Sequence, residues 1–374
     1  MQMNVNEEEV QKILKYCCKE KNILFYNFRC KKDVSCFISI KDNKNVHIVN
    51  INKNYYELLN YVDSNNINLI CYMPVDEKMV QDVFWSSNKL TISICIDDNS
   101  FKYSGKTKSK LMNEKLWNFT ANNANDMIEA GGWINSYTRE KFSEQEMQEY
   151  TENTFIKLSP HLNNDCKILE IGCSSGLTMY NIAPFTKSYF AIDLSKIIIK
   201  KNQEYILKNK IDNIKLFCLK ADEIDAFINE KFDIVILNSV IHCFSDYIYF
   251  EDVMKKILKI TNDNAVVFLG DILDLDKRVI FEKSLIEYRE KCKKTKIDFT
   301  NELFLSKKYL EDFAANNPRI QKIEFSSKCG KIKNELTEFR YDALLKLNDS
   351  TESSYQKKKH RLFCKIGTDI KSEV

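Results

Sequence analysis

The stretch Lys167–Met179, KILEIGCSSGLTM, decides how the largest part of the chain folds. It opens with an apolar run and closes with a second apolar run at helical spacing, and the turn Gly172–Gly176 lies between them. This order predicts a buried strand, a tight loop and a helix. Glycines in such a loop let the backbone approach a ligand closely, and the first turn of the helix presents unpaired N–H groups to it. The stretch therefore predicts a ligand site at the end of a strand.

A carboxylate distinguishes this loop from a phosphate-binding loop. Glu170 lies just before the first glycine, where a negative charge repels a pyrophosphate and attracts a cation. The loop also lacks the third glycine of G-x-G-x-x-G and the lysine of a P-loop. A cationic nucleoside with a carboxylate tail fits better, and S-adenosylmethionine is the common ligand of that kind. The motif alone leaves two alternatives open, another dinucleotide-type ligand and a purely structural strand–turn–helix.

Strand and helix patterns alternate through residues 166–275. Such alternation predicts the α/β class, with a Rossmann-like, mostly parallel sheet that carries helices on both faces. Two later runs, Ile320–Phe325 and Asn334–Leu347, read as strands that complete the sheet in the antiparallel direction. The five parallel strands are predicted at Lys167–Ile171, Tyr189–Ile192, Ile214–Leu219, Phe232–Leu237 and Ala265–Leu269.

The residues that follow each predicted strand are candidates for ligand contact, because ligands of such sheets lie at the carboxyl ends of the strands. Asp193 follows the second strand, where an acid can accept hydrogen bonds from both ribose hydroxyls. Ala221-Asp222-Glu223 follow the third strand, and Asp222 is placed to take an adenine amino group. Asn238–Phe244 follow the fourth strand and Gly270-Asp271 the fifth. A lone acid at a strand end can also merely cap the next helix, an alternative that stays open for Asp222.

Composition limits the classes of function. The 374 residues include 56 basic and 53 acidic side chains, so the net charge is +3 and no basic domain points to nucleic acid. The 13 cysteines form no CxxC pair, so no metal site is predicted. Apolar runs fall far short of the roughly 20 residues of a membrane span. With no signal peptide in the sequence, we expect reduced thiols and a cytoplasmic location.

Composition and periodicity divide the remaining chain. Residues 1–105 are predicted to form a small α/β domain without a chemical constellation and of unknown role. Residues 106–160 read as a helical connector that also covers the site, because Trp133–Thr138 places aromatics and hydroxyls on a loop; alternatively, Trp133 simply fills the core. Residues 161–347 form the ligand-binding domain. Residues 348–374 read as a polar C-terminal tail, within which Leu362–Ile366 can add a short strand.

The motifs, taken together, resemble class I S-adenosylmethionine-dependent methyltransferases. Within that superfamily they are similar to the methyltransferase domains inserted into adenylation domains of nonribosomal peptide synthetases, over about residues 110–347. The segments that carry the resemblance are Trp133–Thr138 (WINSYT), Leu169–Met179 (LEIGCSSGLTM), Asp193, Phe232–Phe244 (FDIVILNSVIHCF), Phe268–Ile272 (FLGDI) and Asn334–Asp342 (NELTEFRYD).

The resemblance implies a function and a set of site residues. Domains of this family typically N-methylate an aminoacyl group held on a carrier protein, and here the domain is expected to stand alone. Ser174-Ser175 replace the usual glycine-threonine pair, and His242-Cys243 replace a glutamine-tyrosine pair in the loop that faces the acceptor. The predicted cofactor-binding residues are Tyr137, Glu170, Gly172, Cys173, Ser174, Gly176, Asp193, Leu194, Ala221, Asp222, Glu223, Asn238 and Ser239.

The predicted reaction is an in-line displacement in which the protein positions and desolvates the reactants. An attacking amine must lose a proton before or after transfer, and His242 is the only histidine at a strand end of the sheet, so it is the candidate base. Tyr137, Asn238, Asp271 and Glu335 are the candidates for orienting the acceptor.

The sequence predicts S-adenosyl-L-methionine as cofactor and N-methylation of an amino acid, aminoacyl or peptidyl group in peptide natural-product biosynthesis. The acceptor is a small molecule or is bound to a carrier protein, and a carrier or synthetase can dock through residues 1–105. Neither nucleic acid nor membrane is an expected partner. The alternatives are an O- or C-methyltransferase of a free small metabolite, a non-catalytic scaffold with this fold, and a dehydrogenase.

Overall fold

The structure, a computed structural model, describes residues 3–4, 22–26, 45–49, 54–72, 77–97, 110–348 and 362–367. The chain divides into two compact units. The first comprises Met1–Lys106 and Lys357–Val374, and the second comprises Thr107–Gln356. No helix within the described residues is long and apolar enough to cross a membrane.

The first unit begins with short strands and two helices. Asn54 caps the first helix, since its side chain accepts a hydrogen bond from the Glu57 N–H, 3.0 Å away. Strands β2 and β4 are almost wholly buried, as their apolar runs predict. The elements are β1 (Met3–Asn4), β2 (Asn22–Tyr26), β3 (Val46–Val49), α1 (Tyr55–Ser64), β4 (Ile67–Tyr72), α2 (Glu77–Ser86) and β5 (Ile92–Asp97).

The second unit opens with helices and then alternates strand and helix. Its first part contains α3 (Glu114–Asn122), α4 (Met127–Ala130), α5 (Glu144–Leu158), β6 (Lys167–Ile171), α6 (Leu177–Ile182), β7 (Ser188–Asp193), α7 (Lys196–Asn209) and β8 (Ile214–Cys218). Its second part contains β9 (Phe232–Asn238), α8 (Tyr247–Ile260), β10 (Thr261–Leu273), α9 (Arg278–Tyr288), α10 (Lys307–Ala315), β11 (Ile320–Ser326), α11 (Glu335–Glu338) and β12 (Arg340–Leu347). Short 3-10 turns lie at Ser159–His161, Ala183–Phe185, Ala221–Phe227, Ile241–Cys243 and Leu275–Lys277.

The seven strands of this unit form one sheet in the order β11-β12-β10-β9-β6-β7-β8. Neighbours from β10 through β8 pair in parallel, and β12 pairs antiparallel with both β10 and β11. Strand β6 has the predicted bounds and lies between β9 and β7, with Ile168 and Leu169 fully buried. The predicted Rossmann-like α/β fold is confirmed, and it brings the ends of β6, β7 and β9 to one edge.

The predicted strand at Asn334–Leu347 is wrong in its first part. The structure forms a helical turn at Glu335–Glu338, and the strand begins only at Arg340. The reason is local capping, because the Asn334 side chain accepts hydrogen bonds from the N–H groups of Leu336 and Thr337, and the Thr337 hydroxyl accepts one from the Asn334 N–H. This turn places the Glu335 side chain in the interior.

The C-terminal region does not stay wholly a tail. Strand β13 (Leu362–Gly367) pairs in parallel with β5 on one side and β1 on the other. The sheet of the first unit therefore has the order β1-β13-β5-β4-β2-β3, and all of its described pairs are parallel. In the chain, the second unit lies between β5 and β13, two strands that are adjacent in this sheet.

Deleting residues 357–374 is expected to unfold the first unit and to spare the second. Strand β13 is an internal strand of the first sheet, so its removal takes hydrogen bonds from both β1 and β5. Hydrogen exchange measured by mass spectrometry should show the slow amides of β4 and β5 becoming fast, while those of β6 and β9 stay slow. Unchanged protection in β4 and β5 would contradict this role for β13.

Candidate active site

A cavity of about 400 Å³ lies at the carboxyl ends of β6, β7 and β9. Its wall includes the loops that follow these strands, the segment 111–142, and further residues between 273 and 340. The strand-end residues on the wall are Glu170, Gly172, Cys173, Ser174, Ser175, Asp193, Leu194, Asn238, Ser239, Val240, His242 and Cys243. The described residues contain no group of three or more His, Cys, Asp or Glu side chains that could hold a metal ion.

The loop after β6 depends on two glycines with left-handed backbone. Gly172 has φ +77°, and a Cβ atom on it would lie 2.6 Å from Val240 Cγ2. Gly176 has φ +90° and a Cβ there would lie 2.4 Å from Tyr180 Cε2. Ser174 also adopts a positive φ, 48°, which is uncommon for a residue other than glycine. Such distances are far inside van der Waals contact, so the loop holds this shape only with glycine at both positions.

Two acids on the cavity wall are buried. The Glu170 carboxyl accepts a hydrogen bond from the Tyr189 hydroxyl at 2.9 Å, and desolvation, opposed by that bond and reinforced by Asp193, raises its pKa to about 8. The Asp193 carboxylate accepts hydrogen bonds from the N–H groups of Ser195 (2.8 Å) and Ser174 (3.0 Å), while desolvation raises its pKa to about 6. Neither acid has an ion-pair partner among the described residues.

This arrangement fits S-adenosylmethionine. Burying carboxyl groups without a cation is unfavourable, and a ligand that carries positive charge removes the penalty. A pyrophosphate would add negative charge beside both Glu170 and Asp193. When bound, the cofactor supplies a methyl group on a positively charged sulfur. Glu170 and Asp193 are the residues that would hold it, together with the Gly172–Gly176 loop and Leu194.

Binding of the cofactor or its product is expected to release a proton from Glu170. With a pKa of about 8 in the free protein, this carboxyl is mostly protonated at neutral pH. A bound ammonium group favours the carboxylate and lowers that pKa, so affinity should rise as pH approaches 8 and fall again at higher pH, where the amino group of the ligand loses its charge. The measurement is calorimetry with S-adenosylhomocysteine near pH 7, where the amino group of this ligand is still largely cationic. The binding heat is compared between buffers of different ionisation enthalpy, and its dependence on the buffer gives the number of protons released.

Glu170→Gln is the matched control for this measurement. The amide keeps the shape and can still accept the Tyr189 hydrogen bond, but it has no proton to release. We expect weaker binding and a heat that no longer depends on the buffer. The same proton release from the parent and from Glu170→Gln would show that another group titrates.

The predicted adenine contacts are arranged differently from expectation. The Asp222 carboxylate accepts a hydrogen bond from the Tyr249 hydroxyl at 3.0 Å. The Glu223 carboxylate accepts one from the Lys220 N–H at 2.8 Å and is largely exposed. Neither side chain lines the main cavity or the smaller cavity of about 40 Å³ beside it. Ala221 does line the smaller cavity, together with Leu194, Leu219, Cys243 and Phe244.

Tyr137 does not lie on the cavity wall. Its hydroxyl is 2.7 Å from Ser284 Oγ, and its ring packs edge-on against Tyr288, so the side chain is directed to α9. The Asn135 side chain accepts hydrogen bonds from the N–H groups of Tyr137 and Thr138, which turns the loop and leaves Ser136 at the cavity. The structure therefore places Ser136 where Tyr137 was predicted to act.

Asp271 is also absent from the cavity wall. It is fully buried, pairs with the Arg340 guanidinium and lies 3.1 Å from the Lys328 ammonium. Its carboxylate accepts a further hydrogen bond from the Ser239 hydroxyl at 2.8 Å. These cations hold the pKa of Asp271 well below its usual range despite burial. Asp271 is thus placed to hold Arg340, and not to orient an acceptor.

Three residues that were predicted to act on the acceptor do line the cavity. Asn238 is held by hydrogen bonds from its Nδ2 to the hydroxyls of Thr154 (2.9 Å) and Thr178 (3.1 Å). Glu335 accepts hydrogen bonds from the Ser136 N–H (2.7 Å) and hydroxyl (3.0 Å), and burial raises its pKa against the opposing charge of Arg340. His242 is half-buried, and desolvation with the nearby Arg340 charge lowers its pKa to about 3.

Sequence reasoning missed several residues of the wall, namely Ser136, Ser175, Lys296, Glu302 and Arg340. A signal existed for Arg340, because two opposite charges, Arg340 and Asp342, stand at the start of strand β12 before its apolar residues, and an internal charge needs a partner. Lys296 and Glu302 pair with each other on the irregular segment between α9 and α10, where no periodic pattern marks a site.

Comparisons with known proteins agree with this geometry. Residues 169–267 match the family described as "Methyltransferase domain". The chain is 29% identical over 235 residues to chondramide synthase of Chondromyces crocatus, and 23% identical over 240 residues to a nonribosomal peptide synthetase of Penicillium thymicola. These matches cover 60% and 59% of this chain but only 6% and 8% of the relatives.

A solved structure with a similar fold is the N-methyltransferase NodS from Bradyrhizobium japonicum in complex with S-adenosyl-l-homocysteine. It is 15% identical, with a TM-score of 0.44, over 63% of this chain and 98% of that one. Residues 169–267 form a methyltransferase domain, and about three fifths of the chain is similar to short parts of the two relatives, one of which is a nonribosomal peptide synthetase.

Proposed function

We propose that this enzyme N-methylates the α-amino group of an aminoacyl or peptidyl acceptor in peptide natural-product biosynthesis. The observation that carries the proposal is the charge balance at the acceptor side of the cavity. Arg340 already pairs with Asp271 and lies 3.6 Å from Glu335, and Lys296 already pairs with Glu302.

This balance favours an acceptor whose carboxyl group is derivatised. The carboxylate of a free amino acid needs a cation, but Arg340 and the partly exposed Lys296 on the described wall already have acidic partners. A third cation, Arg139, is exposed to solvent. An ester, thioester or amide carries no charge at this position, so it needs no such partner. The name of one relative, a nonribosomal peptide synthetase, supports the same class of acceptor.

The acid–base groups favour an amine over a hydroxyl. An α-amino group has a pKa of roughly 7.7–8.0, so part of it is neutral near pH 7 and needs no strong base. A hydroxyl would need one, and His242, with its pKa lowered to about 3, is a weak base. Glu335, whose pKa is raised, is the carboxyl that can accept the proton lost after transfer. The residues of the wall then chiefly orient the amine and exclude water.

Methyl transfer from isotopically labelled S-adenosylmethionine tests the proposal. The acceptors compared are an aminoacyl carrier protein, the same aminoacyl group on a small thioester, the free amino acid, and the matching hydroxyacyl thioester. We expect N-methylation of the two thioesters, located by fragmentation in a mass spectrometer. Methylation of the hydroxyacyl group, or of the free amino acid at an equal rate, would favour an O-methyltransferase or an enzyme of free metabolites instead. Docking through residues 1–105 stays a prediction.

His242→Gln is expected to lower kcat by less than about tenfold, below the 10²-fold or greater loss typical of a removed general base. Since the pKa of His242 is lowered to about 3, the ring is neutral across pH 5–8 and contributes no ionisation there. The dependence of kcat on pH should therefore be the same in the variant and the parent. A loss beyond 10²-fold together with the disappearance of an ionisation near neutrality would restore His242 as the base.

A further inference from the structure

Helix α3 covers the cavity with few apolar contacts of its own. Leu116, Trp117 and Thr120 of this helix line the cavity, and Ala121 is its one buried residue. Phe119 of the same helix is 68% exposed. The apolar cluster that joins the helix to α7 is small, built around Ala121 and Ile198. Hydrogen bonds must therefore contribute much of the stabilisation that holds α3 over the cavity.

The Asn118 side chain of α3 makes hydrogen bonds to the start of α7. Asn118 Oδ1 accepts hydrogen bonds from the Ser195 hydroxyl at 2.8 Å and from the Ile197 N–H at 3.3 Å. Its Nδ2 donates to Glu114 Oε1 at 3.4 Å, which is consistent with the orientation of the amide. The oxygen of Asn118 thus meets the first turn of α7, where Ile197 N–H has no partner within the helix.

The residue that Asn118 contacts also holds the cofactor-binding acid. Ser195 is fully buried and caps α7, and its N–H donates to Asp193 Oδ1 at 2.8 Å. The other Asp193 oxygen accepts from the Ser174 N–H of the glycine loop. A continuous path of hydrogen bonds therefore runs from the cover helix through Ser195 to Asp193 and on to the loop after β6.

We propose that Asn118 is a positioning residue for the cofactor, which couples closure of the cover helix α3 to the placement of Asp193. The proposal concerns cofactor binding and does not depend on which acceptor is methylated. Without the Asn118 oxygen, the Ser195 hydroxyl and the Ile197 N–H lose this partner, and the bond from Lys201 to the Ala121 carbonyl is left to hold α3 and its Trp117 over the cavity. Affinity for the cofactor should fall, whereas the chemical step at saturating cofactor should change little.

Asn118→Ala and Asn118→Asp, compared with Asn123→Ala, test this role. Aspartate keeps an acceptor oxygen at the same position. Asn123 lies at the C-terminal end of the same helix, where its Nδ2 donates to the Phe119 carbonyl, and it contacts neither the cavity nor α7. We expect Asn118→Ala to raise the Kd for S-adenosylhomocysteine by about tenfold or more. Its kcat at saturating cofactor should stay within about threefold of the parent. Asn118→Asp should recover part of the affinity, because its second oxygen faces the Glu114 carboxylate.

Two outcomes would overturn the proposal. The first is an unchanged Kd in Asn118→Ala, and the second is an equal rise in Asn123→Ala, which would mean that helix stability alone matters. If Asn118→Ala does not fold, hydrogen exchange of the parent decides. S-adenosylhomocysteine should then slow exchange in α3 together with the first turn of α7, and exchange in α3 that is indifferent to the ligand would contradict the coupling.

Discussion

Replacing Arg340 with methionine is expected to reduce methyl transfer by at least about 10²-fold and to lower the free energy of unfolding by roughly 3–5 kcal/mol. Arg340 is largely buried between the carboxylates of Asp271 and Glu335. Methionine fills a similar volume but leaves both acids without this cation. Breaking a buried ion pair by removing one partner is strongly destabilising, because the remaining charge stays desolvated.

The loss of activity should exceed what unfolding explains, because Glu335 lines the acceptor side. Without Arg340, the pKa of Glu335 rises further, since the opposing charge is gone. Protonated Glu335 can no longer accept a proton from the amine, and its hold on Ser136 changes. Activity should therefore be measured well below the melting temperature of the variant, with the acceptor KM and kcat determined separately and cofactor affinity followed by calorimetry.

Arg319→Met provides the matched control. Arg319 Nη2 donates to the Asn262 carbonyl at 3.0 Å and lies 3.8 Å from Asp263, at the start of β10 and away from the cavity wall. The variant Arg319→Met also removes an arginine side chain, but from a site that is more exposed to solvent. We expect a small loss of stability and near-parent activity. If Arg319→Met loses activity as Arg340→Met does, or if Arg340→Met keeps its kcat, the role given to Arg340 is wrong.

The parts of the site that the sequence predicted are those fixed by local chemistry. A glycine turn between an apolar run and a helical repeat determines strand β6 and the loop after it within a dozen residues. Asp193 and Asn238 could be placed because the ends of parallel strands share one edge of a sheet. At these positions, residues close together in the sequence are sufficient to predict the structure.

The predictions are wrong where contacts between residues distant in sequence determine the structure. Arg340 and Asp271 are 69 residues apart in the chain, so nothing near Asp271 shows that its carboxylate is already neutralised. Tyr137 and Ser136 are neighbours, and the Asn135 turn alone decides which of the two reaches the cavity. Strand β13 pairs with β5, although the whole second unit separates them in the sequence, and a six-residue strand cannot specify so remote a partner.

The two sides of the cavity differ in how their charged side chains are paired. On the cofactor side, Glu170 and Asp193 are buried without a cation, so a ligand that carries positive charge is favoured there. On the acceptor side, Arg340 and Lys296 are already matched by acids, so a neutral acceptor is favoured. The same cavity therefore distinguishes its two ligands by charge before any shape is considered, and this supports a charged methyl donor beside an uncharged acyl derivative.

Gly172→Ala is expected to weaken binding of S-adenosylhomocysteine by about 10²-fold, because the backbone strain of a non-glycine residue at positive φ, roughly 1–3 kcal/mol, favours a loop shape other than the one that binds. The added Cβ would lie 2.6 Å from Val240 Cγ2 and 3.0 Å from Val240 Cβ, so either the loop or Val240 must move. Both line the cavity, and so either movement disturbs the cofactor site.

The double variant Gly172→Ala with Val240→Ala separates the two causes. Truncating Val240 removes the closest clash but leaves φ at +77°, so affinity should recover in part and not in full. Calorimetric Kd values for the parent, both single variants and the double variant form a cycle whose coupling energy measures the steric contribution. Full affinity in Gly172→Ala alone would show that the loop tolerates a side chain and that its glycine is not needed for the close approach. No recovery in the double variant would assign the whole loss to the backbone, and the glycine would then be required for its left-handed conformation and not for the space beside Val240.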